Sequence, residues 1–206
     1  NQINYKKIES IHSPRTSFIK FIFSIINILN SILLIDKNHI FQSLDELFKL
    51  QKHIGSQNLS NSNPSLDLAN FLSDIPLIYY PYGLQSSAIR FKSSIQENAK
   101  THAIIEDVVE ASHNGIVAWE KPSIIQPILL RGYNDFIKTS ERFEIIKAFF
   151  IKNNIEFKEI NSISGNILTK LITLTYLLDY TSIYRAILSE IDPSPVSSID
   201  FIKSNI

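Results

Sequence analysis

Cysteine and methionine are both missing from the 206 residues. The first absence excludes disulfides, thiolate zinc sites and a cysteine nucleophile, and it fits a reducing cytoplasm, which is the expected location. The second extends to position 1, so the chain is expected to begin inside a longer reading frame or to have been trimmed. A surplus of either charge is missing as well: Lys plus Arg and Asp plus Glu both total 20. With no basic excess to neutralise phosphates or to hold an anionic lipid surface, neither nucleic acid nor a membrane is an expected partner. What the chain does have is apolar content, 44% of residues, enough at this length for one substantial core.

The longest apolar run, Phe18 to Ile35, is about as long as the shortest membrane span. Lys20, Ser24, Asn27, Asn30 and Ser31 recur through it at steps of three and four. That spacing paints a polar stripe on one helical face, which a lipid-facing span does not need. The run therefore reads as a buried or interface helix, with a membrane-associated protein as the competing reading. Ser13-Pro14 suits its start, and a second helix is expected from Ser43 to about His53. Glycine, serine, asparagine and Pro64 then gather between Gly55 and Asn70 and mark a linker, giving a helical segment over 1–58, a linker over 59–74 and a folded unit over 75–206.

From Ile75 onward short apolar runs alternate with longer amphipathic ones. This is the pattern of an α/β, flavodoxin-like parallel sheet with helices on both faces. Strands are expected at Ile75–Tyr80, Ala103–Asp107, Ile124–Arg131 and Glu156–Ile160. Helices are expected at about Leu84–Asn98, Thr139–Asn153, Asn166–Ser189 and Val196–Ser204, the last after the rigid turn Asp192-Pro193-Ser194-Pro195.

Ligands of such sheets bind beyond the carboxyl ends of the strands. The turn Pro81-Tyr82-Gly83-Leu84-Gln85-Ser86-Ser87 offers backbone N–H groups and two hydroxyls to a phosphate, or equally a helix cap. Glu97 stands at a helix end, where the negative end of the macrodipole opposes a carboxylate. His113 follows in a polar loop, a residue type that can transfer protons near neutral pH. Lys203 lies on the last helix. Taken singly, these residues also read as a solvated glutamate, a loop histidine and a solubilising lysine.

Taken in order, several blocks are more specific. Ile89-Arg90-Phe91-Lys92, Gln96-Glu97-Asn98-Ala99-Lys100, His113-Asn114-Gly115-Ile116-Val117-Ala118-Trp119, Ile128-Leu129-Leu130-Arg131, Leu178-Asp179-Tyr180-Thr181-Ser182-Ile183-Tyr184 and Asp192-Pro193-Ser194-Pro195-Val196 follow one another. Together they resemble the archaeal-type bifunctional phosphoglucose/phosphomannose isomerases, from about Ile75 to the end, while Ser13-Pro14-Arg15 resembles the opening of that family's inter-domain helix. The resemblance implies an enzyme of two sugar isomerase (SIS) domains that interconverts glucose 6-phosphate, mannose 6-phosphate and fructose 6-phosphate through a cis-enediol, without metal or other cofactor. This chain matches the end of the first domain and all of the second. The first domain's phosphate-holding loops are expected upstream of Asn1.

By the same resemblance Glu97 is the base, Arg15 steadies the intermediate, and His113 and Lys203 assist ring opening. His113 is contributed by the other subunit of a homodimer, and Ser194 binds the phosphorylated hexose. The residue types suit those tasks. One carboxylate can carry a proton between C2 and C1, and an arginine keeps its charge at any working pH. The family pattern usually has threonine at position 194 and often an acidic residue at position 115. Serine keeps the hydroxyl and loses the methyl group, a change that bears on the mannose 6-phosphate activity. The alternative to an isomerase is a non-catalytic sugar-phosphate-binding or dimerisation module.

Overall fold

The computed structural model of the chain describes residues 7–8 and 13–206. Residues 1–6 and 9–12 of the expected helical segment 1–58 lie outside the described residues. Helices α1 (Phe18–Leu33), α2 (Lys37–Ile54) and α3 (Pro64–Phe71) come first. Then follow β1 (Ile75–Tyr80), α4 (Gln85–Asn98), β2 (Ile104–Asp107), α5 (Val108–Ala111), a 3-10 helix (Gly115–Glu120), β3 (Ile125–Arg131), α6 (Ile137–Lys152), β4 (Lys158–Asn161), α7 (Ile167–Leu188) and α8 (Ser197–Ser204).

The four strands pair in the order β2-β1-β3-β4, every pair parallel. In register, Leu77 faces Ile104, Ile78 faces Ile128, and Leu129 faces Glu159. Parallel neighbours need a crossover, and the crossover helices cover the sheet. That is why the central strands are apolar on both faces rather than alternating with polar residues. Ile78, Tyr80, Ile128 and Leu130 meet Leu84, Phe91 and Ile95 of the α4 region, Leu68 of α3 and Leu174 and Leu178 of α7. Leu77, Tyr79 and Leu129 point the other way, onto Val108, Trp119, Phe143, Ile146 and Phe150. The 3.6-residue period shows on both layers, as Ala88, Phe91, Ile95 and as Phe143, Ile146, Phe150. The α/β parallel sheet with helices on both faces is therefore present, with its first three strands within a residue of where the sequence places them and β4 beginning two residues later than expected.

Three elements differ from expectation. Within the stretch read as a linker, Pro64–Phe71 forms α3: Asn63 caps it by accepting from the N–H groups of Ser65 and Leu66, Pro64 occupies the first turn, and Leu68 is fully buried. Asparagine followed by proline is a helix start as readily as a turn. Helix α2 begins at Lys37 rather than Ser43, because Asp36 caps it through the N–H of Asn38. Third, the connection from β2 to β3 holds α5 and the 3-10 helix, both too short for hydrophobic periodicity to mark.

Helix α1 packs the wrong way round for its composition. Lys20, Ser24, Asn27 and Asn30 of its polar stripe line a cleft shared with α2, while Ile25, Ile28, Leu29, Ile32 and Leu33 face outward. Ile26 alone of its residues is buried. Among the described residues no helix is long and apolar enough to cross a membrane.

At the carboxyl end of β3, Arg131 is nearly buried and pairs with Asp135 (3.2 Å), Glu144 (3.0 Å) and Glu159 (3.3 Å). Its hydrogen bond holds the Glu144 carboxyl below the ordinary range; for Glu159, burial works the other way but Lys147, Asn161 and Arg131 together prevail. Removing the guanidinium strands the 7%-exposed Asp135, whereas Glu144, 58% exposed, turns to water. Arg131→Met is therefore expected to destabilise the fold by roughly 3 kcal/mol in denaturant unfolding at neutral pH. Because the two glutamates have lowered folded values, their contribution is present above the unfolded carboxylate pKa and is lost as pH falls through the folded one. The gap between wild type and variant should narrow on acidification below about pH 4.3.

Candidate active site

Chain direction decides where the candidate residues lie. Helix α4 leaves the carboxyl end of β1 through the turn Pro81–Leu84, closed by the Leu84 N–H to Pro81 O bond and carried by Gly83 at φ +92. It must then run back antiparallel to the strands to feed β2. At 1.5 Å per residue its 14 residues carry the chain roughly 20 Å to the amino edge of the sheet. Glu97 therefore sits at the amino edge, not beyond the carboxyl ends where ligands of such sheets are expected. Helix α7 runs back likewise and delivers Asp192–Pro195 to the same edge.

There the N-terminal segment meets both. Arg15 Nε lies 3.2 Å from Glu97 Oε2. Its Nη1 donates to Asn98 Oδ1 and to the Pro193 carbonyl, both at 2.8 Å, and Nη2 donates to the Ser194 carbonyl at 2.9 Å. Lys100 Nζ bridges the carbonyls of Glu97 (2.6 Å) and Pro195 (2.7 Å). It does so from a left-handed backbone conformation, φ 55, just past the end of α4. These two cations offset the unfavourable field of the helix terminus at Glu97. Asp192 accepts the Ser194 N–H at 2.8 Å, which holds the Asp192 carboxyl below its usual range and fixes the turn.

Arg15 is 19% and Glu97 35% exposed. Among the described residues Glu97 Oε1 has no paired donor. A guanidinium carries five N–H donors; Asn98 and Pro193 take Nη1 and Ser194 takes one N–H of Nη2, so among the described residues the other Nη2 N–H is open. Among the described residues the corner thus presents an unclaimed carboxylate oxygen beside an unclaimed cationic N–H. A cleft of about 430 Å³ adjoins it, lined by Arg15, Asn98, Asp179, Tyr180, Pro193 and Ser194 among others.

Arg15, Glu97 and Ser194 are thus brought together; His113 and Lys203 are not. His113 is exposed in the turn between α5 and the 3-10 helix, past the carboxyl end of β2. That places it at the sheet edge opposite Glu97. The turn is well anchored. Asp107 caps α5, the His113 N–H donates to Glu110 O at 2.9 Å, and Trp119 gives its indole N–H to Tyr79 Oη at 2.8 Å while lying edge-on to Phe150. Burial pushes the Tyr79 phenol up to about 12, so it stays a neutral hydrogen-bonding partner. Lys203 is exposed on α8, a helix that buries no residue. In the turn considered for phosphate, Ser87 is buried and bonded to Thr175 Oγ1 at 3.1 Å, which leaves Ser86 as the exposed hydroxyl.

Sequence reasoning passed over a second tier. Ser87, Ser94 and Asn98 form a polar stripe on α4, and Thr175, Asp179 and Ser182 form its counterpart on α7. They join at 3.1, 2.5 and 2.8 Å. Each stripe is visible as helical spacing; their pairing across about 85 positions is not.

Parallel strands in this order, clad on both faces, make an α/β domain of the flavodoxin-like type. The crystal structure of a glucose-6-phosphate isomerase like protein from Thermus thermophilus matches it with a TM-score of 0.65 at 19% identity, over 78% of this chain and 55% of that one, a likeness of fold. The family described as the bacterial phospho-glucose isomerase C-terminal SIS domain matches residues 61–206, and the chain belongs to that family. A bifunctional phosphoglucose/phosphomannose isomerase of Caldicellulosiruptor bescii is 33% identical over 138 residues, 64% of this chain and 40% of that protein. Its namesake in Aquifex aeolicus is 25% identical over 166 residues, 79% of this chain and 52% of that protein. The chain spans about half the length of the curated relatives it matches.

Proposed function

We propose that the chain is the C-terminal half of an aldose–ketose isomerase that interconverts glucose 6-phosphate, and mannose 6-phosphate, with fructose 6-phosphate. The observation that carries this reading is the Arg15–Glu97 corner, with one carboxylate oxygen and one guanidinium N–H left open among the described residues. Glu97 takes the proton from C2 of the open-chain aldose; the electrons of the C2–H bond form the C1=C2 double bond, and the carbonyl oxygen on C1 gains the charge. Arg15 meets that developing charge with a fixed cation; the C1 oxygen then takes up a proton while the C2 hydroxyl releases one, and Glu97 returns its proton to C1 as the C2 oxygen becomes the carbonyl of the ketose. Ser194, whose carbonyl already holds Arg15, lies where it can contact the sugar.

His113 and Lys203 open the ring, one giving a proton to the ring oxygen and the other accepting from the anomeric hydroxyl. His113 reaches the corner from a second copy of the chain, since its own Glu97 lies at the far edge of the sheet. The reading further places the end of a first SIS domain in 1–58 and the second domain in 75–206, with the sugar phosphate held by a domain preceding α1. The outward apolar face of α1 supports this, for a neighbouring domain would cover it.

The full-length protein should convert glucose 6-phosphate to fructose 6-phosphate and, in deuterium oxide, incorporate solvent deuterium at C1 of the product. A purified protein that turns over neither sugar phosphate would remove the isomerase reading. Turnover with no solvent deuterium in the product would remove Glu97 as an exchanging base.

A further inference from the structure

Helix α1 is a poor anchor for the residue that precedes it, because Ile26 is its one buried residue. Arg15 nevertheless has a defined position, so something other than apolar packing must fix it. The contacts behind it are polar. Arg90 donates from Nη2 to the Arg15 carbonyl at 3.1 Å, and its guanidinium lies 4.5 Å from the centroid of the Phe18 ring. Arg90 is itself held by Asp179 through Nε at 3.1 Å and Nη2 at 3.0 Å, with Ser94 Oγ donating to the same carboxylate at 2.5 Å.

We propose that Asp179 is a positioning residue for Arg15: through Arg90 it seats the segment Arg15–Phe18 on α4 and α7. The seat is a fork-to-carboxylate pair, whose geometry fixes the Arg90 plane rather than merely its charge. Burial pushes the Asp179 carboxyl up, and the Arg90 and Ser94 contacts counter it. A carboxylate kept at this desolvation cost between the uncharged hydroxyls Thr175 and Ser182 of the same helix face has a task beyond solubility. Asn98 completes the arrangement from the side, its Oδ1 on Arg15 and its Nδ2 donating to Ser182 Oγ at 2.8 Å. The guanidinium is therefore aimed by Asn98 while its backbone is seated by Arg90.

The consequence for catalysis rests on the isomerase reading above; the seating itself does not. Two readouts on the full-length protein keep them apart. Asp179→Asn preserves volume and removes the charge. Arg90→Lys keeps Asp179 paired but loses the fork that also reaches the Arg15 carbonyl, so it serves where the first variant folds poorly. In either variant, amide hydrogen exchange over residues 16–21 should rise at least about tenfold while the amides of β1 and β3 stay protected. In turnover, kcat should fall about 10–100-fold with KM changed less than about threefold, since a misplaced guanidinium acts chiefly in the transition state.

Unchanged exchange over residues 16–21 in Arg90→Lys would overturn the seat. Raised exchange with unchanged kcat, in a protein whose wild type isomerises, would overturn the positioning role. Raised exchange in a protein whose wild type turns over no hexose phosphate would uphold the seat and sink the isomerase reading instead.

Discussion

Glu97→Gln lowers kcat for glucose 6-phosphate isomerisation by about 10²–10⁴-fold, the range for removing a general base, and leaves the fold intact. Glutamine matches glutamate in shape and keeps a carbonyl oxygen facing Arg15 Nε. The other contacts of Arg15, to Asn98, Pro193 and Ser194, do not involve the substituted carboxylate. The loss should therefore appear in kcat and kcat/KM together, as for an interaction made in the transition state, and not in KM or thermal stability. A variant with wild-type turnover would show that the corner is a structural ion pair.

His113→Asn is expected to cost about 10²–10⁴-fold in turnover of the cyclic sugar, as the loss of a general acid–base group would. The size of that loss is informative because of where the residue stands. An exposed side chain on a turn anchored by Trp119 and Tyr79 ordinarily changes stability within about 0.5 kcal/mol when replaced. A large effect on rate with none on unfolding would mark it as chemical. Supplying the substrate as an open-chain analogue should restore most of the lost rate, because ring opening is the step assigned to it.

Much of the fold is legible in the sequence because its central strands are covered on both faces. Apolar runs such as Pro127-Ile128-Leu129-Leu130 have one physical explanation once helices flank them. What escapes is governed by caps. Asn63-Pro64 looks like a turn until Leu68 is seen to be buried, and the start of α2 hangs on Asp36 rather than on hydrophobic spacing. The orientation of α1 escapes for another reason. Its polar stripe predicts an amphipathic helix correctly, but nothing local says that the stripe turns toward the cleft shared with α2 and the apolar face outward.

For the site, local reasoning finds Glu97 only as a carboxylate opposed by its own helix. The ion pair that explains it spans 82 positions, from Arg15 to Glu97, and no spacing rule reaches so far. The ordered blocks that resemble the isomerase family include Glu97, and Arg15 enters through the separate resemblance of Ser13-Pro14-Arg15; the structure adds their contact, its place at the amino edge, and the Arg90–Asp179 seat beneath. His113 illustrates the converse. Its loop is legible and its exposure expected, yet the distance from Glu97 follows only from the direction of α4.

The central claim is that one working site joins Glu97 of one chain to His113 of another. Co-expressing full-length Glu97→Gln and His113→Asn, each inactive alone, tests it. Random pairing puts about half the dimers in the mixed state, and each mixed dimer carries one site with both native residues, so about a quarter of wild-type activity should return. Activity no higher than that of the separate variants would contradict the claim.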